Sequence, residues 1–262
     1  MLLLRGIHKT FFPGTVNERR ALRGIDLELA DGDFVTVIGS NGAGKSTLLN
    51  VVAGSLPVDQ GTIAIGDKDV TKLAEHRRAA GIARVFQDPA AGTSPHLSIE
   101  ENLAVAFSRG RRRLLRHGVS HARRSHFRDE LASLGLGLEN RMTHRVGLLS
   151  GGQRQALSLL MASFTRPDIL LLDEHIAALD PERAELVLAL TERVIAESGL
   201  TALMVTHNME HALRMGNRLL MMHDGQIIQR LEPGQKTEAS VADLLAMFTG
   251  SKGELSDRTL LQ

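Results

Sequence analysis

The sequence predicts an α/β fold with a mostly parallel sheet, an N-terminal antiparallel β-subdomain and an inserted helical lobe. Three observations lead to this prediction. Short apolar runs such as 34–38 and 169–172 are continuous, as in strands that are covered on both faces of a parallel sheet. Helical patterns alternate with these runs. Between residues 88 and 149 strand-like runs disappear, and charged helical segments take their place.

The N-terminal region predicts the antiparallel part of the fold. Leu2–Phe11 and Arg20–Leu29 have the composition of two strands, and Pro13 with Gly14 marks a turn in the polar segment between them. Another short strand is predicted over 61–65. The two long strands should therefore pair with each other.

The remaining elements follow from apolar periodicity and from the turn and capping residues that bound each run. They are strands at 83–86, 169–172, 203–206, 218–222 and 226–229, and helices at 45–53, 99–107, 125–134, 153–165, 181–198 and 239–248. The last two strands should form a hairpin across Asp224 and Gly225. The polar tail from Gly250 has no apolar period and is predicted to be mobile.

The most informative segment joins the strand at 34–38 to the helix at 45–53. Its residues match GxxxxGK followed by Ser or Thr at every fixed position. Glycines let backbone N–H groups turn toward phosphate oxygens, Lys45 supplies a charge for the β- and γ-phosphates, and the Ser46 hydroxyl can bind Mg²⁺. We therefore predict that the chain binds a nucleoside triphosphate. The predicted contacts are Gly39, Ser40, Asn41, Gly42, Ala43, Gly44, Lys45, Ser46 and Thr47.

Composition excludes several other classes of site and partner. The 31 Lys and Arg against 30 Asp and Glu leave a net charge of +1, which argues against nucleic acid as the main partner. Without cysteine there are no disulfides, thiolate metal sites or thiol catalysis. No signal peptide is apparent, and no run approaches the ~18–20 apolar residues of a membrane span. We expect a soluble intracellular protein that can dock on a membrane protein.

The predicted lobe contains one unusual concentration of charge, the arginine-rich stretch 109–128. One interpretation is contact with lipid head groups or with an acidic partner. The commoner explanation is a solvated basic helix face. The sequence leaves both open.

Two adjacent carboxylates follow the apolar strand at 169–172. Asp173 is predicted to hold Mg²⁺ through its water shell, and Glu174 to polarise the water that attacks the phosphate. An acidic turn after a strand is common by itself, but beside a phosphate loop this pair predicts hydrolysis.

Leu149 is followed by Ser-Gly-Gly-Gln, which opens a helix as a second anion-binding N-terminus without a lysine. LSGGQ resembles the signature of ATP-binding cassette (ABC) ATPases, and the resemblance covers roughly Leu2 to Ile228 with the motifs in the expected order. It implies a P-loop NTPase (RecA-like) core. It also implies a head-to-tail pair of chains in which the following residues contact ATP held by the other copy: Ser150, Gly151, Gly152, Gln153 and, in the D-loop, Asp180.

The same resemblance assigns three further residues. Gln87 matches the Q-loop glutamine, which would reach Mg²⁺ and the attacking water at the hinge to the helical lobe. His207 matches the switch histidine, which would contact the γ-phosphate and orient the water. Phe11 lies where the family places an aromatic ring on adenine. Phe12 is an alternative for that stacking role, and a core role for Phe11 also remains open.

One position departs from the family pattern, since His175 follows Glu174 where proline is usual. His175 is either an ordinary turn residue or a titrating group near the γ-phosphate. The Asp-Glu-His variant, together with the runs at 205–209 and 216–219, resembles a bacterial branch that is paired with permeases and binding proteins for amino-acid import.

The resemblance implies an Mg²⁺-dependent ATPase that powers solute transport through a separate integral membrane permease, with import of amino acids as the leading interpretation. It further implies a homodimer, an indirect substrate-binding-protein partner, no nucleic-acid partner, and a peripheral location on the cytoplasmic side of the inner membrane. The alternatives are the ATPase of an exporter and a non-transport regulatory ATPase. The expected organisation is one ABC ATPase domain at 1–249, with a core (1–87 and 150–235), a lobe (88–149), a C-terminal helix (239–249) and a mobile tail (250–262).

Overall fold

The computed structural model describes residues 1–109 and 119–249. Within these residues the strands are, in chain order, β1 (Leu2–Phe11), β2 (Arg19–Leu29), β3 (Phe34–Gly39), β4 (Gln60–Ile65), β5 (Lys68–Asp69), β6 (Ile82–Val85), β7 (Ile169–Asp173), β8 (Ala202–Val205), β9 (Arg218–His223) and β10 (Gln226–Leu231).

The α-helices of the same residues are α1 (Lys45–Ala53), α2 (Glu75–Arg78), α3 (Ile99–Phe107), α4 (His121–Ser133), α5 (Gly151–Ser163), α6 (Pro181–Ser198), α7 (Met209–Arg214) and α8 (Pro233–Glu238). Short 3₁₀ turns lie at Leu138–Asn140 and Val146–Leu148, and a last helical segment covers 241–249. None of the helices in the described parts of the chain is long and apolar enough to cross a membrane.

The chain divides into two compact units, which we describe in turn. The first unit consists of Met1–Lys72 and of the chain from Leu203 onward, and the second is Leu73–Ala202. The first unit contains an antiparallel sheet in the order β2-β1-β4-β5. In this sheet Leu2 lies opposite Leu29 on one side and Ile65 on the other. The predicted N-terminal antiparallel β-subdomain is confirmed.

In the first unit β3 lies between β8 and β9, and its residues from Phe34 to Ile38 are buried. β9 runs parallel to β3, with Gly39 opposite Met222, and β10 returns antiparallel to β9. The hairpin turn at Asp224 and Gly225 has positive φ at both residues, 43° and 73°, as a tight two-residue turn requires. The predicted hairpin is confirmed.

Lys236 on α8 is a buried lysine of the first unit, with 4% exposure. Its Nζ donates to the carbonyl oxygens of Met215 and Gly216, just beyond the end of α7, and lies 3.4 Å from the Thr36 hydroxyl. Carbonyls at the end of a helix have no partner within the helix, so Lys236 satisfies them. Burial lowers the pKa of Lys236 to about 8.

In the second unit β6 and β7 run parallel, with Arg84 opposite Leu171. The helices α3 and α4 belong to the predicted lobe, and an aromatic cluster holds them. The rings of Phe107, Phe127 and Phe164 lie with their centroids 5.7–6.0 Å apart. Such edge-to-face and stacked contacts stabilise a core beyond the burial of area alone.

Capping residues set several helix boundaries earlier or later than their apolar periods predict. α4 begins at His121, four residues before the predicted start, because Ser120 accepts the N–H of Arg123. Similarly, α5 begins at Gly151 because Ser150 is its N-cap, and the last helical segment begins at 241 after the cap Ser240.

The short helices α2, α7 and α8 were not predicted, because four to six residues contain too few turns to show an amphipathic period. The predicted core and lobe boundaries remain predictions. The predicted tail at 250–262, and residues 110–118 of the basic stretch, lie outside the described residues. Within that stretch Arg124 pairs with Glu100 at 2.7 Å, and the Arg123 guanidinium lies 5.6 Å from the centre of the Phe107 ring.

Candidate nucleotide-binding site

The loop at 39–46 in the first unit follows β3 and leads directly into α1, as predicted. Lys45, the first residue of α1, is 7% exposed, and its Nζ donates to the carbonyl oxygens of Gly39 at 2.7 Å and Ser40 at 3.1 Å. Its ammonium group therefore lies within the loop. Since the first N–H groups of a helix lack intrahelical acceptors, the loop and the lysine together form a positive cradle for phosphate.

Two glycines of this loop are required by close packing. A Cβ on Gly44, whose φ is 100°, would lie 2.4 Å from the carbonyl oxygen of Ala21. A Cβ on Gly39 would lie 2.3 Å from the carbonyl oxygen of Met222. Any side chain at either position would push the loop away from its neighbouring strands.

Residues outside the phosphate loop donate hydrogen bonds to its backbone. The N–H of Gly225 in the hairpin turn donates to the Ala43 carbonyl at 3.1 Å. Arg19 Nη2 donates to the Gly42 carbonyl at 2.9 Å. These bonds occupy two carbonyls of the loop, while the side chains of Asn41 and Ser46 remain exposed. The loop is thus braced before any ligand binds, which lowers the cost of ordering it.

The structure places His207 beside the start of this loop. His207 follows β8 and precedes α7, whose N-terminus is capped by the Asn208 side chain accepting the N–H of His211 at 2.9 Å. His207 lines a cavity of about 290 Å³ together with Gly39 and Ser40. The histidine is exposed, so its imidazole is accessible to a ligand bound at the loop.

Phe11 ends β1 and is half-buried, with Lys9 Nζ 6.0 Å from its ring centre. Arg19, which braces the phosphate loop, is its partner across β1 and β2. Phe12, the alternative stacking residue, is 67% exposed and has a φ of 51°. Phe11 is therefore not a fully buried core residue, and its stacking role remains a prediction.

In the second unit Asp173 and Glu174 follow the buried run of β7, as predicted. Asp173 Oδ2 lies 2.5 Å from Arg84 Nη2. Glu174 has a φ of 44°, a conformation that costs a non-glycine residue roughly 1–2 kcal/mol, and its carbonyl accepts the N–H of Ala177 at 2.9 Å. The chain thus turns sharply between the two carboxylates instead of continuing the alternation of a strand.

His175 lies in the turn after Glu174, but its side chain is buried. It is 1% exposed, and its Nε2 lies 3.1 Å from the hydroxyl of Thr191 on α6. The Thr191 hydroxyl donates its single hydrogen to the Val187 carbonyl at 2.7 Å, so it accepts from an N–H at Nε2 of His175. The histidine is in the turn, as one interpretation held, but its role there is to bond to α6.

The signature helix α5 begins with a capping box in which Ser150 accepts the N–H of Gln153 and the Gln153 side chain accepts the N–H of Ser150. A Cβ on Gly151 would lie 3.2 Å from the Leu179 side chain, and one on Gly152 would lie 3.2 Å from Arg183. Both glycines therefore permit close packing against the start of α6. Asp180, the N-cap of α6, accepts the N–H of Arg183 and lies at the same place.

Gln87 follows β6 by two residues, and its side chain is exposed. The carbonyl of the preceding Phe86 accepts Nε2 of Gln155 at 3.1 Å, and Gln155 is fully buried on α5. The start of the predicted Q-loop is thus attached directly to the signature helix.

Comparison with known proteins decides the family. The sequence profile described as "ABC transporter" matches residues 22–177. The chain belongs to the ABC transporter family. It is 39% identical over 249 residues to the tyrosine transport ATP-binding protein of Clostridioides difficile, which covers 95% of this chain and 98% of the relative.

Two further similarities agree with this ABC assignment. The chain is 35% identical over 232 residues to the spermidine/putrescine import ATP-binding protein PotA of Marinobacter nauticus, covering 88% of the chain but only 59% of that relative's length. Among solved structures, the ADP- and phosphate-bound dimer of the ATP-binding cassette MJ0796 has a TM-score of 0.76 and 28% identity, covering 88% of this chain and 98% of that one. The predicted fold class and the ATPase activity of the ABC family are thereby confirmed.

The oxygen donors of this ABC chain fit Mg²⁺, which takes few protein ligands and shares substrate phosphates. The Ser46 hydroxyl is exposed at the end of the loop, and the Asp173 carboxylate lies at the end of a buried strand. Among the described residues no group of three or more His, Cys, Asp or Glu is placed to hold a metal. Each of the two donors is an oxygen of the kind that Mg²⁺ prefers.

The structure brings the predicted ABC residues together in two sets. In the first unit it places His207 beside residues Gly39 and Ser40 of the phosphate loop. In the second it places the signature residues against the start of α6, and it joins Phe86 to the signature helix.

Two contributors, Arg19 and Arg84, escaped sequence reasoning, and for His175 the sequence analysis identified the residue but not its burial. The position of each arginine in its strand could have indicated its role. Arg19 is the cross-strand partner of Phe11, and Arg84 is a charged residue within a short buried strand. The burial of His175 has no such signal in the sequence.

Proposed function

We propose that this chain hydrolyses ATP to drive the import of an amino acid through a separate permease. The similarity to the tyrosine transport protein, over nearly the whole length of both chains, is the observation that supports an amino acid as the substrate. The second candidate substrate is a polyamine cation, from the similarity to the spermidine/putrescine import protein. This chain spans only part of that relative.

The first unit supplies the groups that bind the triphosphate. Lys45 moves its hydrogen bonds from the loop carbonyls to the β- and γ-phosphate oxygens, which are stronger, charged acceptors. The loop N–H groups and the N-terminus of α1 bind the same phosphates. His207 contacts the γ-phosphate, and Phe11 stacks on adenine. Ser46, and from the second unit Asp173 and Gln87, would hold Mg²⁺, and the ion would neutralise charge on the phosphate oxygens.

Glu174 is the general base of the reaction. Its carboxylate accepts a proton from the attacking water as the water oxygen bonds to the γ-phosphorus. The bond from that phosphorus to the β–γ bridging oxygen breaks, and the products are ADP and inorganic phosphate. Gln87 and His207 orient the water.

A second copy of the chain completes each site. We assign Ser150, Gly151, Gly152 and Gln153 to the γ-phosphate held by the partner copy, where the N-terminus of α5 meets the anion. Asp180 lies in the segment that passes between the two sites. The dimeric state of the MJ0796 cassette supports this arrangement.

A separate membrane permease receives the motion of the dimer, and a substrate-binding protein delivers the solute to it. The location is the cytoplasmic side of the inner membrane, through the permease. Two exposed apolar side chains of the second unit support a docking role. Val105 is 59% exposed and Leu148 is 79% exposed.

The mass of the Glu174→Gln protein in solution, with and without MgATP, tests the shared-site mechanism. Without the base, ATP stays bound and the closed dimer accumulates, so we expect a shift from monomer to dimer only with MgATP. A variant that hydrolyses ATP at the parental rate would show that Glu174 is not the base.

The substrate is tested separately, by uptake in the native cell. Replacing the chain by its Glu174→Gln variant should abolish uptake of labelled tyrosine and leave putrescine uptake unchanged. Loss of putrescine uptake alone would assign the polyamine, and loss of neither would reject both import substrates.

A further inference from the structure

An ion pair in the second unit joins β6 to the carboxyl end of β7. Arg84 Nη2 lies 2.5 Å from Asp173 Oδ2, and the two side chains are 15% and 13% exposed. The register explains the contact. Arg84 lies opposite Leu171, so Asp173, two residues further along, is its diagonal neighbour on the same face. The position of this cation is therefore set by the strand pairing.

The ion pair changes the electrostatic environment of a metal ion that approaches Asp173. The guanidinium of Arg84 is a cation in direct contact with the Asp173 carboxylate. At low exposure, charges interact several-fold more strongly than they do in water. A divalent cation that approaches Asp173 must share the carboxylate with this guanidinium and is repelled by it.

Arg84 has a second contact on the same face. Its guanidinium lies 4.8 Å from the centre of the Phe86 ring. The Phe86 carbonyl in turn accepts the side chain of the buried Gln155, on the signature helix. One arginine thus joins the Asp173 carboxylate to the residue before Gln87, and through that residue to α5.

We propose that Arg84 is a positioning residue that holds the Asp173 carboxylate and partly neutralises it, so that Mg²⁺ enters the nucleotide site against a resident cation. The inference rests on the role proposed above for Asp173 as a magnesium ligand. In consequence the requirement for free Mg²⁺ is higher than an unpaired aspartate would give, and the orientation of Asp173 depends on the strand pair.

The test is a magnesium titration of the binding of a fluorescent ATP analogue to the full chain. Arg84→Met removes the charge and keeps most of the stem, so the free Mg²⁺ at half-maximal effect should fall about 5–10-fold. Arg84→Lys keeps the charge and should stay near the parent. In Arg84→Met, kcat should fall despite the tighter metal binding, because the carboxylate is no longer held in place.

The expected shift has two controls. Arg124→Met removes another arginine–carboxylate pair of the same unit, the one with Glu100, and should leave the magnesium requirement unchanged. The double variant Arg84→Met with Asp173→Asn should show no shift beyond that of Asp173→Asn alone. An unchanged or higher magnesium requirement in Arg84→Met overturns the inference, as does a shift in Arg84→Lys as large as that in Arg84→Met.

Failure of the underlying role would look different. If Asp173→Asn keeps the parental magnesium requirement, Asp173 is not a magnesium ligand and the proposed function of that residue fails. If Asp173→Asn raises the requirement and Arg84→Met does not lower it, only the inference about Arg84 fails.

Discussion

The Nε2 atom of His175 lies 3.1 Å from the hydroxyl of Thr191, and both residues are buried. The bond joins the turn that follows Glu174 to the middle of α6. Thr191 lies one helical turn after Val187, and its hydroxyl donates to the Val187 carbonyl. This turn has no proline after Glu174, and a buried side-chain bond constrains it instead. The constraint is therefore tertiary and not a property of the local backbone.

Thr191→Val should destabilise the protein without changing its chemistry. The valine has the shape of threonine but leaves the His175 N–H buried without its acceptor, at a cost of about 1–3 kcal/mol. Denaturant unfolding measures this loss. Thr237→Val is the matched control, because the Thr237 hydroxyl also donates to the carbonyl four residues before it but is exposed. Equal losses in the two variants would contradict a specific role for the His175 bond.

Lys45→Ala should weaken ATP binding by about 10–100-fold, because each hydrogen bond to a charged group contributes about 1.5–3 kcal/mol. Calorimetric titration with ATP measures the change. Lys68→Met removes an exposed lysine of the same unit and should bind ATP like the parent. Parental affinity in Lys45→Ala would show that the buried ammonium serves only to bond the loop carbonyls.

Ser150→Arg should lower ATP turnover by about 100-fold or more, because it places a bulky cation where the partner's γ-phosphate is to bind. Nucleotide binding to the phosphate loop should stay within about threefold of the parent. Ser120→Arg is a matched control, since Ser120 caps α4 by the same type of bond but lies outside the signature. Full turnover by Ser150→Arg would reject the head-to-tail site.

Lys236 should make stability depend on pH in the alkaline range. Its pKa of about 8 in the folded chain lies below the ordinary 10.5, so between these values the unfolded chain binds the extra proton. The free energy of unfolding should therefore rise with pH, by about 2 kcal/mol between pH 7.5 and pH 10. Lys236→Met should lack this rise, as measured by denaturant unfolding at about pH 7.5 and pH 10. A parental pH dependence in the variant would exclude Lys236 as its source.

The phosphate loop could be predicted because all of its determinants are contiguous. The strand, the glycines, the lysine and the helix lie within residues 34–53, and each has a local signal. The carboxylates after β7 and the cap at Ser150 are equally local. For these segments the structure adds the packing reasons, such as the approach of Gly44 to Ala21.

The missed features depend on contacts between distant residues. Arg84 meets Asp173 only because two parallel strands, 89 residues apart at this contact, adopt one register. The burial of His175 depends on which face of α6 covers it. The short helix α7 follows a capping asparagine, and its six residues contain no repeat to detect. Such features follow from tertiary packing, which a single sequence does not display.

The bond from the Gly225 N–H to the Ala43 carbonyl places a backbone amide of the β9–β10 turn in direct contact with the phosphate loop. That amide can exchange with deuterium only when the turn and the loop separate. Its exchange rate therefore measures how often the loop opens, and ligand binding at the loop should slow it. A single residue remote in sequence from the loop thus reports whether the loop is occupied.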